Sequence, residues 1–324
     1  MSRVAIIIPA IGSIEALERT LVSVLENRPA DSEIVVALSH PYEDPYELKG
    51  EVQFVQAKRW SRPIDCVNQA LDATRAPFVH VLASGCTVSE GWTEAALSRF
   101  GDRKVAAVAP LLIDADRQDT ILSAGLQYHR NGRRSWAGRG ESLDSLSGGT
   151  PTIIGPCGAA AFYRAAALEM IGRFCSSLSL AQADADVALS LGQAGLKCVL
   201  ETRSRIFADP RDFELPQAAF VGGLREERLF WRNVSQTSMR GAVAAHIGMV
   251  AMESLGGILR PASYLRLCGR ALACCQIGHY ARRRALLEAL RATQAGETPE
   301  GTRVDASHAI GKTRHSNPTA ARVR

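Results

Sequence analysis

Five short apolar runs punctuate the first third of the chain: VAIIIP from Val4, EIVVAL from Glu33, VQFVQ from Val52, FVHVLA from Phe78 and VAAVAPLLI from Val105. Each is rich in β-formers, and the segments between them carry apolar residues at helical spacing. Ser13 is placed to cap a helix over Ile14–Glu26, with Ala16, Leu17, Leu21, Val24 and Leu25 on one face. Pro63 opens a second helix whose Ile64, Val67, Ala70 and Leu71 face inward, and Trp92–Phe100 reads as a third. Alternation at this spacing predicts an α/β fold: a mostly parallel central sheet, helices on both faces, and strands near 4–9, 33–38, 52–56, 78–83 and 105–113.

In open α/β sheets ligands sit just beyond the carboxyl ends of the strands. Ser84-Gly85-Cys86, after the fourth strand, is therefore the expected floor of a cleft. No Asp or Glu lies between Asp72 and Glu90, so local sequence offers a hard cation no carboxylate there. The first strand–helix turn, Pro9-Ala10-Ile11-Gly12-Ser13, has neither GxGxxG nor GxxxxGK[ST]. That weighs against dinucleotide-binding and P-loop chemistry.

The charge is uneven. Of a net +5 over 324 residues, the segment 260–324 alone holds 12 Lys/Arg against 4 Asp/Glu. The excess is a C-terminal property that suits an anionic membrane surface, nucleic acid or simple solubility. The eight cysteines are scattered, with no CxxC pair and no zinc-site spacing, which points to a reducing cytoplasm. Val4–Ile11 is too short for a secretory h-region, and Ala242–Leu259, interrupted by His246 and Glu253, falls short of a membrane span.

Further along, residues 121–150 read as a hairpin followed by a Gly/Arg/Ser-rich loop, and small residues crowd Ile153–Arg164 (IIGPCGAAAFYR). Ala165–Ile171 is a short helix. A longer one is expected from about Asp184, with Val187, Leu189 and Leu191 inward, then a strand over Lys197–Glu201. Val221–Met239 reads as one helix carrying Leu224, Leu229, Phe230 and Trp231. Ala242–Leu259, Pro261–Cys275 and Ile277–Leu290 make a basic, Leu-rich helical appendix suited to lying on an anionic membrane or packing on the domain. These readings divide the chain into a domain at 1–240, the appendix at 241–292 and a disordered basic tail at 293–324.

Taken in register, VAIIIPAIGSIEALERTLVSVL, EIVVALS, CVNQALDATRAPFVHVLASGCTVSEGW, GPCGAAAFYRAAALEMIGRF, ADADVALSLGQAGLKC and ERLFWRN resemble the inverting GT-A glycosyltransferases of family 2 over residues 4–233. The resemblance implies a nucleotide-sugar donor, a glycan or lipid-linked acceptor, no nucleic acid, and a place in polysaccharide or glycolipid synthesis in the cytoplasm or at the inner face of the cell membrane. It places Pro9, Ala10, Ala37, Arg62, Asn68, Ser84 and Gly85 on the donor side, and Gly158, Asp186 and Trp231 on the acceptor side. Asp184 falls on the position of the family's general base.

The departures from the family pattern cluster where its chemistry is done. The Asp that grips the nucleotide base is replaced within Val36-Ala37-Leu38, and the Asp-x-Asp that holds Mg²⁺ or Mn²⁺ is replaced by Ala83-Ser84-Gly85. Gly-Phe-Asp becomes Arg173-Phe174-Cys175, Glu-Asp-x-Asp becomes Ala183-Asp184-Ala185-Asp186, and the Arg that follows and a late His become Ser190 and Ala208. No metal or other cofactor is therefore expected. Cations would have to replace the metal, with Arg59, Arg62, Arg225, Arg228 and the loop Arg130–Arg139 as candidates. Two roles stay open for Asp184, base or helix cap, while a solvated or capping role is expected for Asp186. Three functions stay open with them: a metal-independent transferase, a catalytically silent protein that binds a glycan, a nucleotide or a partner, or, with no phosphate loop to support it, a nucleotidyltransferase-like or other α/β enzyme on a similar sheet.

Overall fold

The computed structural model describes residues 2–10, 12–58, 61–213, 217–234 and 239–294. The elements of the first half are β1 (Val4–Pro9), α1 (Ile14–Asn27), β2 (Ser32–Leu38), β3 (Val52–Gln56), α2 (Pro63–Asp72), β4 (Phe78–Leu82), β5 (Thr87–Val88), α3 (Trp92–Ser98) and β6 (Val105–Asp114). Then come three short strands, β7 (Ile121–Ser123), β8 (Leu126–Tyr128) and β9 (Arg134–Trp136). The second half continues with β10 (Ala160–Arg164), α4 (Ala165–Met170), α5 (Leu180–Gln193), β11 (Lys197–Ala208), α6 (Pro210–Phe213) and α7 (Ala219–Asn233). Three helices close it: α8 (Met239–Gly256), α9 (Pro261–Cys274) and α10 (Ile277–Gln294).

The sheet runs β3-β2-β1-β4-β10-β6-β11-β5, with β7 added on β6. β1 pairs in parallel with β2 and β4, β2 with β3, and β6 with β11, whereas β10 runs antiparallel between β4 and β6. The unbroken apolar sequence of β1 follows from burial on both faces. Val4, Ile6 and Ile8 pack with Leu17, Leu21 and Val24 of α1. Ile7 packs on the other side with Ile64, Val67 and Ala70 of α2. β4 buries His80 against Phe162 of β10, rings 3.7 Å apart and parallel, and desolvation lowers this imidazole to about 3, so it stays neutral.

The five predicted strands are present with the expected order and sense; β4 ends one residue early, at Leu82. Three expectations change. α5 begins at Leu180 with Ser179 in the cap position, so Asp184 lies inside the helix, and Leu189 is only half-buried. β11 extends to Ala208 through an irregularity between Glu201 and Arg205, where buried Glu201 collects Arg99 and Arg203. α7 stops at Asn233, and α8 starts at Met239. Arg59 and the tail from residue 295 onward lie outside the described residues.

The C-terminal helices pack on the sheet domain. α9 crosses α7 at two glycines. A Cβ on Gly269 would fall 2.0 Å from the Phe220 carbonyl oxygen, and one on Gly223 would fall 2.2 Å from that of Arg266. Only the absence of side chains allows the backbones so close. Leu287 and Leu290 of α10 join the core beside α2 and α5.

Candidate functional site

The segment Cys157-Gly158-Ala159, leading into β10, passes beside α5 and positions Asp184. The Gly158 amide donates to Asp184 Oδ2 at 3.0 Å. A Cβ at Gly158 would stand 3.1 Å from the Leu180 carbonyl, so a small residue keeps this approach open. From β9, Arg134 reaches across and donates through Nη1 to both Asp184 oxygens, at 2.9 and 3.1 Å, and also to the Ala181 carbonyl. Asp184 is 2% exposed. Burial raises its pKa, against the opposing pull of Arg134 and the Ala185 and Gly158 amides. A carboxylate so held is a stronger base than one in water.

Asp184 lines a cavity of about 240 Å³. Ala83 and the 157–159 segment line it together with Leu180, Ala181, Arg134, Trp136 and Gln217, and Arg139 lies over the Trp136 ring at 4.7 Å. The floor is thus Ala83 rather than the predicted Ser84-Gly85. Ser84 is wholly buried and donates to the Pro9 carbonyl at 2.9 Å. Gly85, at φ +91°, gives its amide to Thr20 Oγ1 at 2.9 Å, and α6 covers it. A Cβ on Gly85 would meet Asp212 Cβ at 2.4 Å. This corrects the expectation of a strand end without carboxylates: Asp212 is delivered there from more than a hundred residues away.

That carboxylate does not make a metal site. Asp212 Oδ2 is held by Arg19 Nη2 at 2.7 Å, and Ala83, Ser84 and Gly85 add no acidic ligand. Among the described residues no group of three His, Cys, Asp or Glu side chains is placed to hold an ion. Among the described residues the donor set does not fit the divalent ion that the resemblance implies.

Asp186, two positions along α5, points elsewhere. It is fully buried, and Arg232 grips it through Nε at 3.0 Å and Nη2 at 2.9 Å. Asn233 Nδ2 adds a bond at 2.8 Å and Arg283 stands at 3.7 Å. These partners overcome the cost of burial and hold Asp186 at about 2. It neither caps a helix nor meets solvent, and it does not line the cavity. Its visible role is to tie α5 to α7 and α10.

The remaining predicted residues separate in the same way. Gly158 shares the cavity with Asp184. Asn68 clamps the backbone of Phe174, donating to its carbonyl at 2.8 Å and accepting from its amide at 3.3 Å. Trp231 donates to Glu227 at 2.7 Å. Pro9 and Ala37 are sheet residues, and neither they nor Ala10 lines the cavity. Arg62 pairs with Asp65 at 2.9 Å, and it lies close enough to Arg225, as Arg228 does, that both lower the Arg225 pKa, second to burial. Arg225 in turn donates to Gln217 at 3.3 Å, on the cavity wall. Of the arginines proposed from sequence, Arg134 thus lines the cavity and Arg225 reaches its wall through Gln217, whereas Arg62 is held by Asp65 and Arg228 by Gln276 and the Ser177 carbonyl. Trp136, Gln217 and Asp212 were not foreseen. The first two lie in segments with no periodic pattern, and nothing local marks Asp212 as a neighbour of Gly85.

No family model and no curated protein sequence matches the chain. Solved structures do. The chain is similar to GalNAc-T7 with UDP, GalNAc and Mn²⁺, with TM-score 0.55, 13% identity, 71% of this chain and 47% of that one covered. It thus spans about half the length of the GalNAc-T7 chain. It is similar to the mannosyltransferase PcManGT from Pyrobaculum calidifontis in complex with GDP-Man and Mn²⁺, with TM-score 0.50, 14% identity and coverage of 92% and 88%. It is also similar to S. aureus TarS 1-349, with TM-score 0.55, 14% identity and coverage of 96% and 90%. At such identities the likeness speaks for architecture alone: this chain has the GT-A fold, a large and mostly parallel sheet flanked by helices.

Proposed function

We propose that the protein is a divergent family 2 glycosyltransferase, moving a sugar from a nucleotide-sugar donor to a hydroxyl of a glycan or lipid-linked acceptor with inversion and without a divalent ion. The observation that carries the reading is the buried Asp184 carboxylate opening onto a cavity of about 240 Å³, with its pKa raised by burial. In the reaction Asp184 accepts the acceptor's hydroxyl proton as that oxygen bonds to the anomeric carbon. The bond from that carbon to the nucleoside diphosphate breaks, and its electron pair leaves on the phosphate oxygen. Arg134 orients the base, and Arg225, bonded to Gln217 on the cavity wall, supplies positive charge toward the departing diphosphate, a role for which a guanidinium fork is suited. None of the eight cysteines is joined in a disulfide, in keeping with a reducing, cytoplasmic setting.

A calorimetric panel of nucleotide sugars with and without Mn²⁺, followed by turnover assays of Asp184→Asn, tests this. Donor binding that ignores Mn²⁺ is expected, and the substitution should cut turnover by about 10²–10⁴-fold while donor affinity holds. Unchanged turnover would remove Asp184 from the mechanism. The alternative of a silent binding protein is favoured by one observation: α6 lies over both Gly12 and Gly85, the rim where a donor diphosphate would rest. Binding without turnover by the parent protein would select it.

A further inference from the structure

Helices α8 and α9 are built inside out. Along α8, Ile247, Met252 and Leu255 all face solvent, at 62%, 76% and 69% exposure. Its polar residues turn inward instead. His246 is buried, with Nδ1 at 2.7 Å from the Asn131 carbonyl and Nε2 at 3.0 Å from Glu227, and Glu253 pairs with Arg270 at 3.1 Å. α9 repeats the pattern, with Tyr264, Leu265 and Leu272 outside and Arg270 inside. A helix on a water-soluble domain shows the opposite polarity. At the turn between the two, Ile258 and Leu259 project outward, Leu259 with 93% of its surface bare.

The charges around this face are mostly of one sign. Arg240 and Arg260 are exposed at its edges, and Arg266, partly exposed, pairs with Glu226 at 3.6 Å. The sole acid in residues 239–276 is Glu253, already engaged from within by Arg270 and, at 3.8 Å, by Arg133. No described helix is long and apolar enough to cross a membrane, so the hairpin can lie on a bilayer but not span it. A second copy of the chain suits the face less well, because it would set two mainly basic rims together, their acid Glu226 being already engaged by Arg266 and Arg270. The hairpin is also firmly mounted, since the glycine crossing of α7 and α9 fixes it to the domain.

We infer that the α8–α9 hairpin is an interfacial anchor. Leu255, Ile258, Leu259 and Tyr264 enter the headgroup–acyl boundary of an anionic leaflet, and Arg240, Arg260 and Arg266 meet its phosphates. The inference is independent of the transfer reaction.

Co-sedimentation of the full chain with phosphatidylcholine vesicles, with and without phosphatidylglycerol, tests it directly. Binding should favour the anionic vesicles and weaken with salt. Leu255→Glu/Leu259→Glu should lower partition at least about tenfold, and Arg260→Ala about fivefold, with melting temperatures unchanged because all three side chains are exposed. Leu259→Trp gives a reading free of any loss of function: its emission should shift blue on anionic vesicles and be quenched by brominated acyl chains. Absence of parent binding to anionic vesicles, equal partition by the folded double variant, or an unquenched Leu259→Trp would each overturn the anchor. So would a concentration-dependent dimer abolished by the double variant in a protein that ignores vesicles.

Discussion

Asp184 and Asp186 occupy one helix, two positions apart, and their surroundings push them in opposite directions. Successive helical residues point about 100° apart, so a step of two swings a side chain to nearly the opposite face. Asp184 emerges at the cavity, where burial outweighs Arg134 and raises its pKa. Asp186 emerges against α7, where Arg232, Arg283 and Asn233 outweigh the same burial and hold it at about 2. The helix supplies position only. Chemical character comes from partners 46 and 47 residues away on one side and 50 on the other. A raised value means the native state tolerates the neutral form, and a depressed one means it depends on the charged form.

Paired substitutions break the comparison most sharply. Asp186→Asn leaves Arg232, only 7% exposed, without its counter-ion. It should cost about 3–5 kcal/mol and lower the melting temperature by roughly 10 °C. Asp184→Asn keeps an acceptor for the Gly158 amide and removes a charge that burial disfavours, and Arg134 retains access to water. It should change stability by less than about 1 kcal/mol while removing turnover. Thermal melts of both variants check this, and a larger loss from Asp184→Asn would reverse the assignment of roles.

Acid titration is the next test. Asp186 has a native pKa below its unfolded one, so the stability it contributes is full above the ordinary carboxylate range and drains as pH falls through about 2. That contribution is roughly 2–3 kcal/mol. Asp184 has the opposite sign: its contribution is present below the unfolded value and lost as pH rises through the raised native one. Denaturant melts across pH should show the full acid loss in the parent and in Asp184→Asn, and a smaller one in Asp186→Asn, where only lowered carboxyls such as those of Asp114, Glu201, Asp209 and Glu227 remain.

The five strands of the first third were legible because each obeys a local rule. β10, central between β4 and β6, was not, since its segment IIGPCGAAAFYR shows small residues rather than a strand pattern. VAIIIP is apolar throughout since α1 and α2 cover both faces, and its bounds could be read to the residue. What sequence did not reveal is pairing at long range. ADAD looks like two equivalent acids, and only the fold brings Arg134 to one and Arg232 to the other. The start of α5 was misplaced by about a turn because Ser179 and Leu180 precede any strong apolar period. The covering of Gly85 by a four-residue helix has no sequence signature at all.

That covered strand end supplies a third contrast with the open cavity one residue before it. Gly85→Ala places a methyl on a backbone at φ +91° and against Asp212 Cβ at 2.4 Å, so either α6 or the strand end must move. A cost of about 1–3 kcal/mol is expected, whereas Ala83→Gly at the cavity floor should stay near the smaller penalty of added backbone freedom, about 1 kcal/mol. Equal effects would mean that α6 yields freely.

The smallest effect concerns the latch that holds α6 in place. Arg19 is half-exposed, with a side chain 54% open to water, so its pair with Asp212 is screened and contributes about 0.2–1 kcal/mol. Asp212→Ala should therefore barely move the melting temperature. Its value lies in donor affinity. If α6 must swing off Gly12 and Gly85 before a diphosphate can settle there, the pair taxes binding by its own free energy, and removing it raises apparent affinity up to about fivefold. If α6 instead forms a wall of the occupied site, Asp212→Ala weakens binding or leaves it unchanged. Calorimetry of the parent and the variant with one nucleotide sugar separates the two, and Arg19→Ala must move affinity in the same direction, since it opens the same pair from the other side.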